Sequence, residues 1–284
     1  MATYQANLIA DPKSQTCGLA FDEMQTGPWG YGKRLQFVEQ VIRRKFPERP
    51  LGSIRLLDVG CGNGSLLALP LAQAGFDLTG IDLHGPSIER ASQLADGLPN
   101  AHFFLCPVED LTEPAFEVVV LSEVLEHVID PGALLQASVK HLLRDGILIV
   151  TVPNGYGEAE IDSRIFHALH LQPGLDLVCS FLRRIVFPSR APQNPQPPLA
   201  TDNYRSGHVQ FFRRRRLHQL FAQASLAVVN ESAGSFICGP MVGYTFARSR
   251  RFVDWNLRVA DKLPLSLVST WYFVLRRNQD CFGV

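Results

Sequence analysis

The chain has 284 residues, 46% of them apolar, enough to bury one large core. Its 27 basic and 27 acidic side chains cancel, which excludes long-range steering of a polyanion by the chain as a whole. The six cysteines (Cys17, Cys61, Cys106, Cys179, Cys238, Cys281) show no paired spacing. With neither a signal peptide nor a bilayer-length apolar run in sight, a reduced, cytoplasmic protein is expected.

Residues 1–30 are rich in small polar residues. Residues 31–44 read as a helix with Leu35, Val38, Val41 and Ile42 on one face. Leu56-Leu57-Asp58-Val59 then forms a buried strand that breaks into Gly60-Cys61-Gly62-Asn63-Gly64, with a helix expected over 65–74. Gly60, Gly62 and Gly64 remove Cβ atoms where a ligand must lie against bare backbone. A helix N-terminus aims unpaired N–H groups and a positive dipole end at the same place. Asp58 adds a carboxylate there, which suits a positively charged amino group better than a pyrophosphate. Ser65 stands where the dinucleotide-binding fingerprint needs its third glycine.

A second apolar strand over 76–82 ends in Asp82, an acid placed to accept both hydroxyls of a ribose. A helix over 86–95 and a third strand over 101–105 follow, leading to Cys106-Pro107-Val108-Glu109-Asp110. The strand over 116–121 is a continuous Val-rich run and that over 146–152 reads the same way, the pattern of parallel strands buried on both faces. Between them lies a helix over 131–143, closed by Arg144-Asp145-Gly146 in a helix-stop arrangement. Strands alternating with helices at short intervals predict a doubly wound α/β sheet.

The glycine turn, with the acid-ended strand about 20 residues on, resembles motif I and its successor in the class I S-adenosylmethionine (SAM)-dependent methyltransferases. The resemblance implies a mostly parallel, seven-stranded, Rossmann-like sheet; residues 155–200 depart from that minimal fold as a helical insertion after the fifth strand. It implies that Gly60, Cys61, Gly62 and Gly64 hold the methionine end of SAM and that Asp58 reaches its amino group. Asp82 then binds the ribose with Leu83 nearby, Val108 and Glu109 flank the adenine, and Ser122 packs against the adenosine. Cys61 itself reads as a small filler rather than a nucleophile. An Arg-Leu pair recurs near the start of related O-methyltransferases, which makes Arg34 a candidate for the SAM carboxylate; a surface arginine is the preferred reading.

Four regions are expected: an arm and lid helix (1–50), a SAM-binding core (51–154), a helical and proline-rich insertion roofing the acceptor (155–200), and the rest of the sheet with inserted helices (201–284). Within the insertion, helices are read over 158–169 and 175–187, before a proline-rich run over 188–198. The mixed apolar and basic stretch 181–187 leaves a weak membrane-surface contact as the alternative to a lid. A helix over 213–224, a strand over 226–231, helices within 241–262 and an aromatic strand over 271–276 complete the chain. The family resemblance runs that last strand antiparallel between the fifth and sixth. Arg213 to Arg216 point around a whole helical turn and read as a solvated face.

Glu123, Glu126 and His127 follow the fourth strand. On a helix begun at once after Leu121 they would share one face and could bind a hard divalent ion such as Mg²⁺, with His208 as a fourth ligand. Glu-x-x-Glu-His with a later histidine is similar to the metal set of small-RNA 2′-O-methyltransferases. His208-x-x-x-Phe212-x-x-x-x-Leu217 resembles a segment of the ubiquinone-pathway O-methyltransferases. His208 or His127 could instead serve as a general base without metal. The expected activity is SAM-dependent O-methylation of a small-molecule, sugar or lipid-linked acceptor, with no nucleic-acid partner. The alternatives are a non-catalytic SAM-binding scaffold, an RNA 2′-O-methyltransferase and an NAD-dependent oxidoreductase.

Overall fold

A computed structural model describes residues 30–112, 115–169, 207–239 and 249–278. The elements expected over 175–187 and 188–198, the arm over 1–29 and the start of the 241–262 segment lie outside the described residues. Helix α1 (Tyr31–Lys45) precedes β1 (Arg55–Val59), α2 (Ala68–Gln73), β2 (Asp77–Asp82), α3 (Gly85–Leu94) and β3 (Ala101–Leu105). Then come β4 (Phe116–Ser122), α4 (Pro131–Lys140), β5 (Leu142–Pro153) and α5 (Glu158–Ala168). After the undescribed stretch follow α6 (Arg214–Gln223), β6 (Leu226–Ala233), α7 (Arg250–Ala260) and β7 (Thr270–Arg277).

The seven strands form one sheet in the order β3-β2-β1-β4-β5-β7-β6. The first five pair in parallel, and β7 runs antiparallel to both β5 and β6. The doubly wound sheet and the place of the closing strand are as expected. Side chains alternate between two cores, which explains the unbroken apolar runs. Leu57, Val119, Leu121, Leu148 and Val150 pack with Leu135 of α4 and with Leu217 and Phe221 of α6. Leu56, Val118, Val120, Ile147 and Ile149 face Leu35, Val38 and Ile42 of α1 and Leu71 of α2.

Two boundaries differ from expectation. Helix α2 begins at Ala68, not residue 65, because the glycine turn continues as irregular backbone through Leu67. Helix α4 ends at Lys140, and the run expected to stop it is already strand: Leu142 pairs with Phe116 and the register shifts before Ile147. Arg213 to Arg216 are all exposed, as read. Among the described residues no helix is long and apolar enough to cross a membrane.

Candidate active site

The C-terminal ends of β1, β2 and β4 meet at the glycine turn. Gly60, Gly62 and Gly64 all have positive φ, a region that side-chain-bearing residues rarely adopt. A Cβ on Gly60 would also lie 2.7 Å from Val124 Cγ2, so the turn after β1 is locked against the turn after β4. Asp82 braces the loop: its Oδ2 accepts from Gly62 N–H at 2.8 Å and its Oδ1 from His84 N–H at 2.9 Å. Each carboxylate oxygen retains a second lone pair, so a ribose diol can still dock. Cys61 lies against Gly80, and burial pushes its thiol well above the ordinary range, in keeping with a filler.

The remaining expected cofactor contacts divide. Ser122 is half-buried at the end of β4, its hydroxyl 3.2 Å from that of Thr151. Leu83 is 74% exposed, open to cover a ring. Val108 belongs to the core, so only its backbone can face an adenine, and Glu109 is exposed beside it. Asp58 is buried at the end of β1. Burial pushes its carboxyl up to about 7, against the pull of Arg34, with the Asp82 charge adding to the rise.

Arg34 is not a surface residue. It is 6% exposed, with its guanidinium over the Tyr31 ring and Nη1 at 3.4 Å from Glu123 Oε1. Its Nε is buried without a hydrogen-bond partner, an unusual expense for a guanidinium. The sequence carried a signal for this burial: Arg34 falls three residues after Tyr31 and four before Val38, on the stripe that packs against the sheet.

The α-helix begun at once after Leu121, on which Glu123, Glu126 and His127 would share a face, does not form. Strand β4 runs on to Ser122, Glu123 takes a left-handed φ of 56°, and Leu125–His127 is a single 3₁₀ turn. The reversal at Glu123 sends its side chain to Arg34 and turns Glu126 inward. Glu126 is fully buried with neither carboxyl oxygen hydrogen-bonded, and burial, reinforced by the Glu123 charge, pushes its pKa well up.

His208 nevertheless arrives. Val209 and Gln210 N–H both donate to the Glu126 carbonyl, at 2.9 and 3.0 Å, while Phe212 and Leu217 are buried as anchors on either side of the turn into α6. One ligand atom each from Glu126, His127 and His208 lies within 4.8 Å of the others. The two imidazoles meet edge to face with centroids 5.0 Å apart. Burial and the neighbouring His208 push the His127 pKa down, against a hydrogen bond to the Gly207 backbone. His208 Nδ1 sits 2.6 Å from Glu160 Oε1, and that bond pushes the His208 pKa up despite burial. Glu160, on α5, was not singled out from the sequence.

Glu123 is therefore outside the convergent set. One carboxyl and two imidazole groups do not suit Mg²⁺, which prefers an oxygen octahedron; they suit a transition ion such as Zn²⁺. The Glu126 oxygens, buried without a hydrogen bond and with Oε1 3.8 Å from His127 Nε2, are the observation that fits a cation there.

The family model described as "Methyltransferase domain" matches residues 31–231, more than half of the chain. The chain belongs to that methyltransferase family. It is similar to the ubiquinone biosynthesis O-methyltransferase of Caulobacter sp. (strain K31), 36% identical over 130 residues, which are 43% of this chain and 51% of that protein. The chain thus spans about half the length of the curated relatives it matches. In fold it resembles PKMT2 from Rickettsia typhi in complex with AdoHcy (TM-score 0.54, 16% identity, 89% of this chain and 54% of the other). It also resembles magnesium protoporphyrin IX methyltransferase from Synechocystis PCC 6803 with bound SAH (TM-score 0.50, 16% identity, 86% and 83%). Membership of this family sets the NAD-dependent oxidoreductase reading aside and makes SAM the cofactor.

Proposed function

We propose that the protein transfers the methyl group of SAM to a hydroxyl oxygen of a small-molecule acceptor, with Glu126, His127 and His208 at the transfer point. The observation that carries this reading is the convergence of those three side chains beside a turn that packs, through Val124, on the glycine loop. Asp58 receives the SAM ammonium, Arg34 the SAM carboxylate and Asp82 the ribose. The acceptor oxygen attacks the methyl carbon as the carbon–sulfur bond breaks, and the sulfonium becomes a thioether. The hydroxyl proton passes to His208, whose partner Glu160 strengthens it as a base. Alignment supplies much of the rate, because the sulfonium is already an activated donor.

The Glu126 oxygens, which make no hydrogen bond and of which Oε1 lies 3.8 Å from His127 Nε2, favour a second reading, in which Glu126, His127 and His208 hold a transition ion. Such an ion, when bound, would lower the pKa of the acceptor hydroxyl. The acceptor class (phenol, sugar or lipid-linked alcohol), the absence of a nucleic-acid partner, the 155–200 roof and a cytoplasmic setting remain parts of this proposal. The free cysteines Cys61, Cys106 and Cys238 fit a reducing compartment.

The test is transfer from radiolabelled SAM to a panel of catechols, phenols, sugars and RNA, with His208→Ala beside wild type. Transfer to a hydroxyl that His208→Ala loses while still binding SAM is the expected result. Transfer to RNA alone, or SAM binding without transfer to any acceptor, would overturn the acceptor reading.

A further inference from the structure

We propose that Glu160 is a positioning residue: it fixes the tautomer and ring orientation of His208, so that the Nε2 lone pair points at the Glu126–His127 centre. A carboxylate can only accept, so a 2.6 Å contact to His208 Nδ1 places the imidazole proton on that nitrogen. The neutral ring then has Nε2 as its acceptor; with Nδ1 engaged by Glu160, Nε2 is the nitrogen available to the cluster that His208 forms with Glu126 and His127.

Glu160 is well placed to hold this geometry. It is 8% exposed, whereas its neighbours along the outer face of α5, Ile161 and Ile165, are 54% and 46% exposed. Helix α5 is itself fastened at its first turn, where Glu158 Oε2 accepts from Cys238 N–H at 3.1 Å. The histidine is held from the other side by the two backbone hydrogen bonds to the Glu126 carbonyl. A carboxylate behind the distal nitrogen of a working imidazole sets its basicity and direction whether the ring serves a proton or an ion. Helix α5 is thereby part of the reaction centre and not only a roof over it.

This inference rests on His208 acting at that centre, but its decisive readout needs no turnover. Long-range proton–nitrogen NMR of histidine-labelled protein, with His208 assigned by its loss in His208→Gln, reads the tautomer directly. In wild type at about pH 8 the proton should sit on Nδ1. Glu160→Ala should move it to Nε2 or mix the two forms. Glu160→Gln, whose amide oxygen still accepts, should keep it on Nδ1. Turnover in Glu160→Ala should fall by about tenfold or more with the SAM Michaelis constant unchanged, and Glu160→Gln should recover most of it. An Nε2-bound proton in wild type, or a His208 signal that Glu160→Ala leaves unaltered, overturns the proposal. If Glu160→Ala does not fold, wild type and Glu160→Gln still decide it. Failure of wild type to bind SAM would strike the methyltransferase reading and leave the tautomer result standing.

Discussion

Arg34 Nη1 lies 3.4 Å from Glu123 Oε1, joining helix α1 to the strained residue that follows β4. Neither the Arg34 Nε nor that Glu123 oxygen has a hydrogen-bond partner, so the pair is close but incomplete. Arg34→Ala should cost about 2 kcal/mol of stability, less than a fully buried pair because Glu123 is partly open to solvent. It should also weaken SAM binding, since a carboxylate arriving at Nε would lose its partner. Urea unfolding and calorimetry measure the two effects; a variant with unchanged SAM affinity would remove Arg34 from the cofactor site.

Asp58 should make SAM binding depend on pH. Its folded pKa of about 7 lies above the ordinary 3.8, so the protonated form is favoured when folded. Its contribution to stability is therefore complete below about pH 4 and is lost as the pH rises through 7. An ammonium ligand needs the ionised form, so binding releases a proton. SAM affinity should be about fivefold weaker at pH 6 than at pH 7, and Asp58→Asn should flatten that change. Titrations in buffers of different ionisation enthalpy report the released proton.

Asp82→Ala should lower SAM affinity by at least about tenfold, from lost charge-assisted ribose bonds of about 1.5–3 kcal/mol each before water compensates. Because Asp82 also receives the Gly62 and His84 N–H groups, the variant should loosen the glycine loop, read as faster hydrogen exchange at Gly62. Unchanged affinity would refute the ribose role.

Gly60→Ala combines a left-handed φ of 74° with a Cβ 2.7 Å from Val124. It should destabilise by about 2 kcal/mol or more, and the displaced Val124 turn should carry Glu126 and His127 with it. Thermal melts and methyl-transfer rates should fall together. A stable Gly60→Ala protein with full turnover would break the proposed link between the two turns.

If the second reading holds, chelator should abolish transfer while SAM binding survives, and Zn²⁺ should restore it better than Mg²⁺. Activity indifferent to chelator leaves His208 as the base without an ion.

The sheet was legible because β4 and β5 bury both faces, a demand that unbroken apolar runs such as Val118–Leu121 and Ile147–Val150 satisfy. The glycine turn was legible because three positive φ angles call for three glycines. The turn after β4 was not, because a left-handed Glu123 has no signature in a sequence that reads equally well as helix. His208 was visible through its anchors Phe212 and Leu217. Its partner Glu160 was hidden, since a hydrogen bond across 48 residues leaves no local pattern. Arg34 misled by type: an arginine in a polar helix is usually solvated, and only its phase with Tyr31 and Val38 argued otherwise.

Strand β7 separates β5 from β6, so during synthesis the two halves of the molecule mature at different times. Strands β1 to β4 have all their sheet neighbours once β5 has emerged, and the glycine turn can form there. The far edge of β5, from Leu148 to Pro153, waits for residues 270–275, more than a hundred positions later. Asn154, which donates from its side chain to the Val268 carbonyl, waits with it, and α5 follows directly after. A nascent chain therefore exposes an apolar strand edge beside a half-built pocket until β7 slots in, a window in which chaperone capture or edge-to-edge pairing competes with completion.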